Sequence, residues 1–178
     1  GIFALSEQII AVLFERGEFN ENSSLFTSKA LKFYSLGLVA FILMKIYTPI
    51  FFAYENAKPT LYITGINLAI NSILSIILFI YIGFIGIPIA TSISAWISVL
   101  LMPYYLKKYD YYQISKRIIL PLAIIIIASL TTYLYLFLLK NYFGIFNSLF
   151  EDYEIIFLLF SVLSSILLYF ILISFYKP

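Results

Sequence analysis

The fold of this chain follows from one long stretch without charge, Pro59–Leu106, which reads PTLYITGINLAINSILSIILFIYIGFIGIPIATSISAWISVLLMPYYL. As a single helix its 48 residues would be about 72 Å long at ~1.5 Å per residue. The hydrocarbon core of a bilayer is only about 30 Å thick, so the stretch must cross it twice. The reversal is expected at Tyr81–Pro88, where two glycines give turn freedom and Pro88 suits the first turn of a helix. We therefore predict helices near Thr60–Ile80 and Ile87–Tyr105.

Three further apolar segments are long enough to span a membrane once. Ile118–Leu139 and Ile155–Tyr176 have 22 residues each, and Phe33–Tyr54 is interrupted only by Lys45. With the two helices above, these segments predict five complete transmembrane helices, and Gly1–Phe14 indicates the end of a sixth. Because the chain starts with Gly and lacks the basic region of a signal peptide, we interpret it as the C-terminal piece of a longer protein.

The composition excludes most classes of soluble protein. Of the 178 residues, 63% are hydrophobic and only 11% are charged, which leaves too few polar side chains to cover a water-soluble fold. The net charge of +2 does not indicate a nucleic-acid partner. Without Cys, His or a phosphate-cradling glycine motif, we expect no metal centre, no catalytic residue and no resident cofactor. The class indicated is an all-helical integral membrane protein.

The distribution of charges predicts an orientation. The most basic linker, Lys107–Arg117, should be cytoplasmic because positive loops stay on that side. Counting outward, the turn Tyr54–Pro59 and the C-terminus are also cytoplasmic. The segments Gly83–Gly86, Lys140–Glu154 and Glu15–Lys32 are then predicted to be external loops.

Polar side chains gather on one face of the first helix of the uncharged stretch. Asn67 and Asn71 are four residues apart, about one helical turn, so both amides face the same way. The hydroxyl residues that widen this face, or face it from the next helix, are Thr64, Ser72, Ser75, Thr91, Ser92 and Ser94. An amide facing lipid would lack hydrogen-bond partners, so the stripe must face protein or water. It predicts either hydrogen bonds between helices or part of a cation or substrate site, since such oxygens suit sodium.

Lys45 is a cation inside the predicted helix Phe33–Tyr54. Its long stem could carry the ammonium group to the cytoplasmic interface. Alternatively, it faces an aqueous cavity and attracts a phosphate-bearing head group. Pro49, four residues later, should kink the helix or end its regular part.

The last two predicted helices contain almost only aliphatic and aromatic residues, with a few Ser and Thr. This composition favours helices that face lipid on most sides, and it also fits an apolar groove for a lipid tail. The acidic cluster between them, Glu151, Asp152 and Glu154, has no imidazole or basic partner nearby. We interpret the cluster as a solvated loop rather than a metal or catalytic site.

The segment Leu13–Phe19 reads LFERGEF. It is similar to the L-F-x-R-G-x-F segment that follows the ninth spanning helix of the MurJ (MviN) lipid II flippase family, with Arg16, Gly17 and Phe19 at its fixed positions. Ala30–Leu38 is similar to the family's A-L-x-x-Y-x-L-G-L. Each motif is short, but together they occur in the family's order.

The other two motifs lie at the next helix ends. Lys45–Pro59 resembles the family's K-x-x-x-P-x-F-[FY]-A, with Pro49 at its proline, followed by a short turn that ends in Pro59. Gly86–Ser92 resembles its G-[LI]-x-[LI]-A-T-S. Within the turn, Asn56 stands where the family often has Asp. The likeness covers residues 1–110, and hydropathy alone extends it further.

The resemblance implies a fourteen-helix transporter of the MOP exporter superfamily in the bacterial inner membrane, with both termini cytoplasmic. Residues 1–110 would hold the end of helix nine and helices ten to twelve of the C-terminal lobe, and residues 111–178 helices thirteen and fourteen. Such proteins move the undecaprenyl-linked peptidoglycan precursor from the inner to the outer leaflet by alternating access. The last two helices of the family form an apolar groove for the polyprenyl tail.

The partners implied are the lipid-linked precursor, membrane lipids and the N-terminal part of the same transporter, with sodium or the membrane potential as the driving force. The residues we expect along the substrate or ion pathway are Lys45, Asn67, Asn71 and Thr91. The alternatives are another MOP-type exporter, for O-antigen or teichoic-acid units or for drugs, and a non-transporting membrane assembly subunit.

Overall fold

The computed structural model of the chain describes residues 1–111, 119–146 and 154–174. The helices, in chain order, are α1 (Ile2–Phe14), α2 (Glu21–Ala53), α3 (Lys58–Ile82), α4 (Gly86–Lys108), α5 (Ile119–Phe146) and α6 (Glu154–Ser174), with a 3₁₀ turn at Gly83–Ile85 between α3 and α4. Within the described residues all regular structure is helical, so the predicted all-helical class is confirmed.

Four helical segments of the described chain are long and apolar enough to cross a membrane, namely Glu21–Ala53, Lys58–Lys108, Leu120–Tyr142 and Ile155–Ser174. The number is four rather than the predicted five because α3 and α4 are joined by the 3₁₀ turn and are counted together as one segment, Lys58–Lys108. This segment folds back on itself, since the backbone of Gly86 in α4 lies against Leu78 in α3. It therefore supplies two of the five crossings.

The reversal lies where the sequence predicted it. Gly83 has a φ of +68°, a left-handed conformation that costs glycine little, and it ends α3. Gly86 then allows the two helices to approach closely, because a side chain there would collide with the backbone of Leu78. The glycines thus serve both the turn and the packing that follows it.

The predicted start of the second helix was wrong. The segment Glu15–Lys32 was expected to be an external loop, but α2 begins at Glu21. The side chain of Asn20 caps this helix, accepting a hydrogen bond of 3.0 Å from the backbone N–H of Ser23. With 33 residues α2 is about 50 Å long, more than a bilayer core requires. Its first turns are polar, which is why a search for apolar spans misses them.

The predicted end of the next-to-last helix was also wrong. α5 continues to Phe146, so Lys140 lies inside a helix and not in the expected external loop Lys140–Glu154. There Lys140 forms an ion pair with Glu7 of α1, which satisfies a cation in an otherwise apolar helix. Several charged residues used for the predicted orientation lie outside the described residues, namely Lys116, Arg117, Glu151, Asp152 and Lys177.

The chain forms two compact units. The first, here called the hairpin unit, is Lys29–Ile114, with most of α2 and all of α3 and α4. The second, here called the groove unit, comprises Gly1–Ser28 and Ser115–Pro178, with α1, the start of α2, α5 and α6. The expected division into residues 1–110, as part of a C-terminal transporter lobe, and residues 111–178, as a C-terminal pair of transmembrane helices, stays a prediction.

In the hairpin unit, α2 and α4 run in the same direction and pack closely. The hydroxyl of Ser92 donates a hydrogen bond of 2.7 Å to the carbonyl of Phe33, and the indole N–H of Trp96 donates one of 2.9 Å to that of Leu36. Gly37 makes room for this approach, since a Cβ there would lie 2.8 Å from the hydroxyl of Ser92. The two helices are therefore joined by small residues and by bonds to the backbone, as is common in membranes.

The ends of α2 and α4 are fastened to each other by aromatic rings. Tyr54 and Tyr111 stack with centroids 4.1 Å apart, and the Tyr54 hydroxyl donates to the Tyr111 carbonyl. The amide of Asn56 donates a hydrogen bond of 3.0 Å to the Tyr111 hydroxyl. The amide of Asn56 can donate to this hydroxyl, whereas a carboxylate could only accept from it. Beneath the rings lies a buried core of Phe51, Ile63, Met102 and Leu106.

In the groove unit, α1 packs against α5 and α6. Leu5 of α1, Leu136 of α5 and Leu158 of α6 form a buried cluster. The ring of Phe3 contacts that of Tyr133 at 6.0 Å between centroids, one turn before Leu136. The helix α1 thus covers one side of the α5–α6 pair.

Candidate functional site

The two amides of the polar stripe, Asn67 and Asn71, both form hydrogen bonds with side chains of α4. Asn67 donates two hydrogen bonds from its amide nitrogen, one of 2.6 Å to the Ser98 hydroxyl and one of 3.1 Å to the Ser94 carbonyl. Ser98 in turn donates to the same carbonyl at 2.9 Å. Ser94 and Ser98 are fully buried. Asn67 therefore fills the role of hydrogen bonding between helices, one of the two alternatives for the stripe.

Asn71 lies one turn further along α3 and has a different environment. Its carbonyl oxygen accepts a hydrogen bond of 3.1 Å from the Ser75 hydroxyl and lies 3.4 Å from the Thr91 hydroxyl oxygen. The Thr91 hydroxyl donates its shorter hydrogen bond, of 2.9 Å, to the carbonyl oxygen of Ile87. We call the four oxygens from Asn71, Ser75, Thr91 and Ile87 the oxygen cluster. The structure thus brings the predicted residues Asn71 and Thr91 together.

The oxygen cluster has the chemistry of a site for a hard, singly charged cation. Amide, hydroxyl and backbone carbonyl oxygens are neutral ligands of the kind that such ions accept. Asn71 is the fourteenth of the 25 residues of α3, about 20 Å along the axis from the first. The cluster therefore lies near the middle of the helix. Among the described residues no group of three or more His, Cys, Asp or Glu side chains could hold a metal ion.

Other predicted members of the polar stripe lie elsewhere. Ser92 donates to the carbonyl of Phe33 and belongs to the α2–α4 contact. Thr64 and Ser72 are exposed on α3. The sequence reading missed Ser98, although it lies four residues after Ser94 on the same face of α4, and this spacing is the signal that could have found it.

Lys45 is exposed on α2, one turn before Pro49. Within residues 1–111, 119–146 and 154–174 the structure gives its ammonium group no ion-pair partner. Pro49 does not end the helix, which continues to Ala53. Because proline has no N–H, the backbone carbonyl of Lys45 loses its usual partner four residues on. The stem of Lys45 thus starts from a locally weakened turn of α2.

The motif residues at the end of α1 build a turn. The guanidinium of Arg16 donates a hydrogen bond of 3.3 Å to the carbonyl of Val12, and Gly17 adopts a φ of +61°. The ring of Phe19 contacts that of Phe14 at 6.3 Å between centroids. These contacts reverse the chain between α1 and α2. Pro59, also a motif residue, is buried in the first turn of α3, where its missing N–H costs nothing.

An apolar groove of about 640 Å³ runs along the α5–α6 pair. Seven of its lining residues recur on one face of α6, and Tyr135 contributes from α5. The residues are Tyr135, Phe160, Leu163, Ser164, Leu167, Leu168, Ile171 and Leu172. Only the hydroxyls of Tyr135 and Ser164 are polar side-chain groups in this set. Such a lining suits an alkyl or isoprenoid chain, and it agrees with the groove that the sequence composition allowed.

Comparison with known proteins places these features in a family. A family model described as Lipid II flippase MurJ matches residues 1–173, well beyond residue 110, where the likeness seen in the sequence ends. The probable lipid II flippase MurJ of Rickettsia prowazekii is 35% identical over 156 residues, 88% of this chain. The lipid II flippase MurJ of Thermosipho africanus is 33% identical over 149 residues, 82% of this chain.

A solved structure supports the same relationship. The lipid II flippase MurJ in an inward closed conformation matches 98% of this chain with a TM-score of 0.72 and 31% sequence identity. The matched part is 34% of that protein, and the chain covers 30% of the Rickettsia relative and 31% of the Thermosipho relative. The chain thus spans about a third of the length of these relatives. It belongs to the lipid II flippase MurJ family.

Proposed function

We propose that this chain forms part of a transporter that moves the undecaprenyl-linked peptidoglycan precursor from the inner to the outer leaflet of the bacterial inner membrane by alternating access. The names of the relatives in two organisms support this substrate. The observation that carries the proposal is the apolar groove on α6, because an amphiphilic cargo needs a separate path for its tail. The chain moves its cargo without forming or breaking a covalent bond.

The two ends of the cargo require opposite surroundings. The isoprenoid tail is stable wherever it stays among apolar side chains, which the α6 face offers over three turns from Phe160 to Ile171. The diphosphate head group must instead cross about 30 Å of hydrocarbon, so it needs a polar cavity. We assign Lys45 of the hairpin unit to the lining of this cavity. The other residues that line it would come from the rest of the transporter.

Filling the groove is expected to block transport. Leu167→Trp places a bulky ring where the tail would lie, and overpacking of this kind costs about 1–3 kcal/mol, so flux should fall about tenfold. The measurement is translocation of a fluorescent precursor by the full-length protein in vesicles. Leu159→Trp is the matched control, because Leu159 is similarly exposed on α6, at 57% against 62% for Leu167, but does not line the groove. Equal flux in both variants would reject the groove as the tail path.

Removing the charge of Lys45 should slow transport without unfolding the protein. Lys45→Met keeps an apolar stem but loses the ammonium group, and a hydrogen bond to a charged partner is worth about 1.5–3 kcal/mol, so flux should fall at least about tenfold. Lys45→Arg keeps the charge and should retain most of the flux. If Lys45→Met transports as well as the unmodified protein, the ammonium group has no role in transport and only extends to the membrane interface.

We also propose that the oxygen cluster binds sodium and that sodium or the membrane potential drives the cycle. Contacts of 2.9 to 3.4 Å link the neutral oxygens of Ser75, Asn71, Thr91 and Ile87 one to the next. In the bound state the two hydroxyls would turn their lone pairs towards the ion, as the ligand set of a hard cation requires.

The orientation that we propose puts the C-terminus and the Tyr54–Tyr111 stack on the cytoplasmic side. The basic residues Lys107 and Lys108 end α4 next to this stack, and basic residues favour the cytoplasm. In the hairpin unit α2 and α4 run in the same direction, as the orientation requires. The remaining partners would be membrane lipids and the N-terminal part of the same transporter.

A further inference from the structure

An ion pair joins α1 to α5 in the groove unit. Glu7 is the one charged residue in the sequence of α1, and Lys140 is the one in α5. The two charges are 133 positions apart in the chain, and the ammonium group of Lys140 donates directly to a carboxylate oxygen of Glu7. Their side chains are 51% and 40% exposed, so the pair lies at the edge of the helix contact. A charge placed alone on either helix would cost more free energy in an apolar setting than the pair does.

The pair follows two apolar contacts between the same two helices. Moving along both helices in the same direction, Phe3 meets Tyr133, Leu5 meets Leu136, and Glu7 meets Lys140. The first two contacts are apolar and tolerate sliding, because dispersion forces have little directionality. An ion pair with a direct hydrogen bond fixes the register much more strictly. The position of α1 along α5 is thus set at the Glu7–Lys140 end.

Tyr135 connects this contact to the groove. It is the groove-lining residue that α5 contributes within the described chain, opposite the seven on α6. Its ring also packs against the buried cluster of Leu5, Leu136 and Leu158, which α1 completes. A shift of α1 would therefore change the support behind the α5 wall of the groove.

We propose that the Glu7–Lys140 pair is a positioning pair for the apolar groove, holding α1 so that Tyr135 keeps the groove at a width that fits a polyprenyl chain. The proposal rests on the proposed function, in which that chain is the tail of the cargo. Neither charged residue touches the cargo; both act through α1, Leu5 and Tyr135. The pair thereby makes the groove depend on a helix that does not line it.

Charge reversal and its rescue test this role in the full-length protein. Glu7→Lys and Lys140→Glu alone should each weaken binding of undecaprenyl phosphate in detergent about tenfold, with a matching loss of precursor flux in vesicles, because one charge is left uncompensated. The exchange of both residues, Glu7→Lys with Lys140→Glu, should restore affinity and flux to within about twofold. Glu18→Lys is the control, since it makes the same charge reversal in the exposed turn after α1.

Each outcome of these measurements either supports or contradicts the positioning role of the Glu7–Lys140 pair. Unchanged affinity in both single variants, or no rescue by the exchange in a protein that unfolds at the normal temperature, would overturn the positioning role. If the reversed variants do not fold, Glu7→Gln decides instead, because it keeps the hydrogen bond and removes the charge. A loss of affinity of about threefold in Glu7→Gln supports the proposal, and no loss refutes it. If the unmodified protein binds undecaprenyl phosphate but shows no flux, the transport proposal fails while the binding series still tests the pair.

Discussion

Replacing Gly86 by valine is expected to prevent α3 and α4 from packing and to lower the free energy of unfolding by about 3 kcal/mol or more. A Cβ atom at Gly86 would lie 2.5 Å from the carbonyl carbon of Leu78 and 2.6 Å from its oxygen. Both are backbone atoms within a helix, so neither can move aside as a flexible side chain would. The effect is measured by denaturant unfolding of the full-length protein in detergent micelles.

Gly65 provides the matched control for this substitution. It lies on the same hairpin, in the interior of α3, but a Cβ there would meet nothing within 4 Å. Gly65→Ala should therefore be neutral, or stabilising by up to about 1 kcal/mol because alanine favours a helix. If Gly86→Val unfolds no more easily than Gly65→Ala, the close approach of Gly86 to Leu78 does not hold α3 and α4 together.

The second large effect is expected at Asn71, whose removal should abolish any dependence of transport on sodium. Asn71→Leu deletes the oxygen that both hydroxyls of the cluster contact, so sodium should no longer raise the unfolding temperature or the flux. Asn67→Leu should behave differently. It removes two bonds to α4 and should destabilise the protein by about 1–2 kcal/mol while sodium keeps its effect on the folded fraction.

The comparison separates ion binding from helix packing. Unfolding temperature and flux are measured in sodium and in potassium at equal ionic strength, for both variants and for Ser72→Ala as control. Ser72 is exposed on the same helix and lies outside the oxygen cluster, so its variant should match the unmodified protein in both salts. A normal sodium response in Asn71→Leu would exclude the cluster as the cation site.

The sequence predicted those parts of the molecule that depend on composition and local spacing. Gaps between charges located the spanning helices, and the glycines at 83 and 86 located the reversal. The four-residue spacing of Asn67 and Asn71 predicted that both amides face the same way, and in the structure each bonds to a side chain of α4. These successes share one cause, since lipid forces each apolar run to satisfy its backbone internally and so makes secondary structure readable from hydropathy.

The sequence did not predict features that arise from pairing between distant elements or from polar helix ends. Hydropathy cannot detect the first turns of α2, where the Asn20 cap begins a helix among polar residues. The partner of Lys140 is 133 positions away, and nothing in either local sequence identifies it. For Asn67, both amide roles fitted the pattern, and only the distances to Ser94 and Ser98 identified the structural one.

Because the indole of Trp96 is hydrogen-bonded to α2, the intrinsic fluorescence of this residue reports on the contact between α2 and α4. The sequence contains one tryptophan, and its N–H is held by the Leu36 carbonyl across the contact between α2 and α4. Light emission from an indole depends on its hydrogen bonding and on the polarity around it. Any event that pulls these two helices apart would free the indole and shift its fluorescence, so their separation can be followed without attaching a dye.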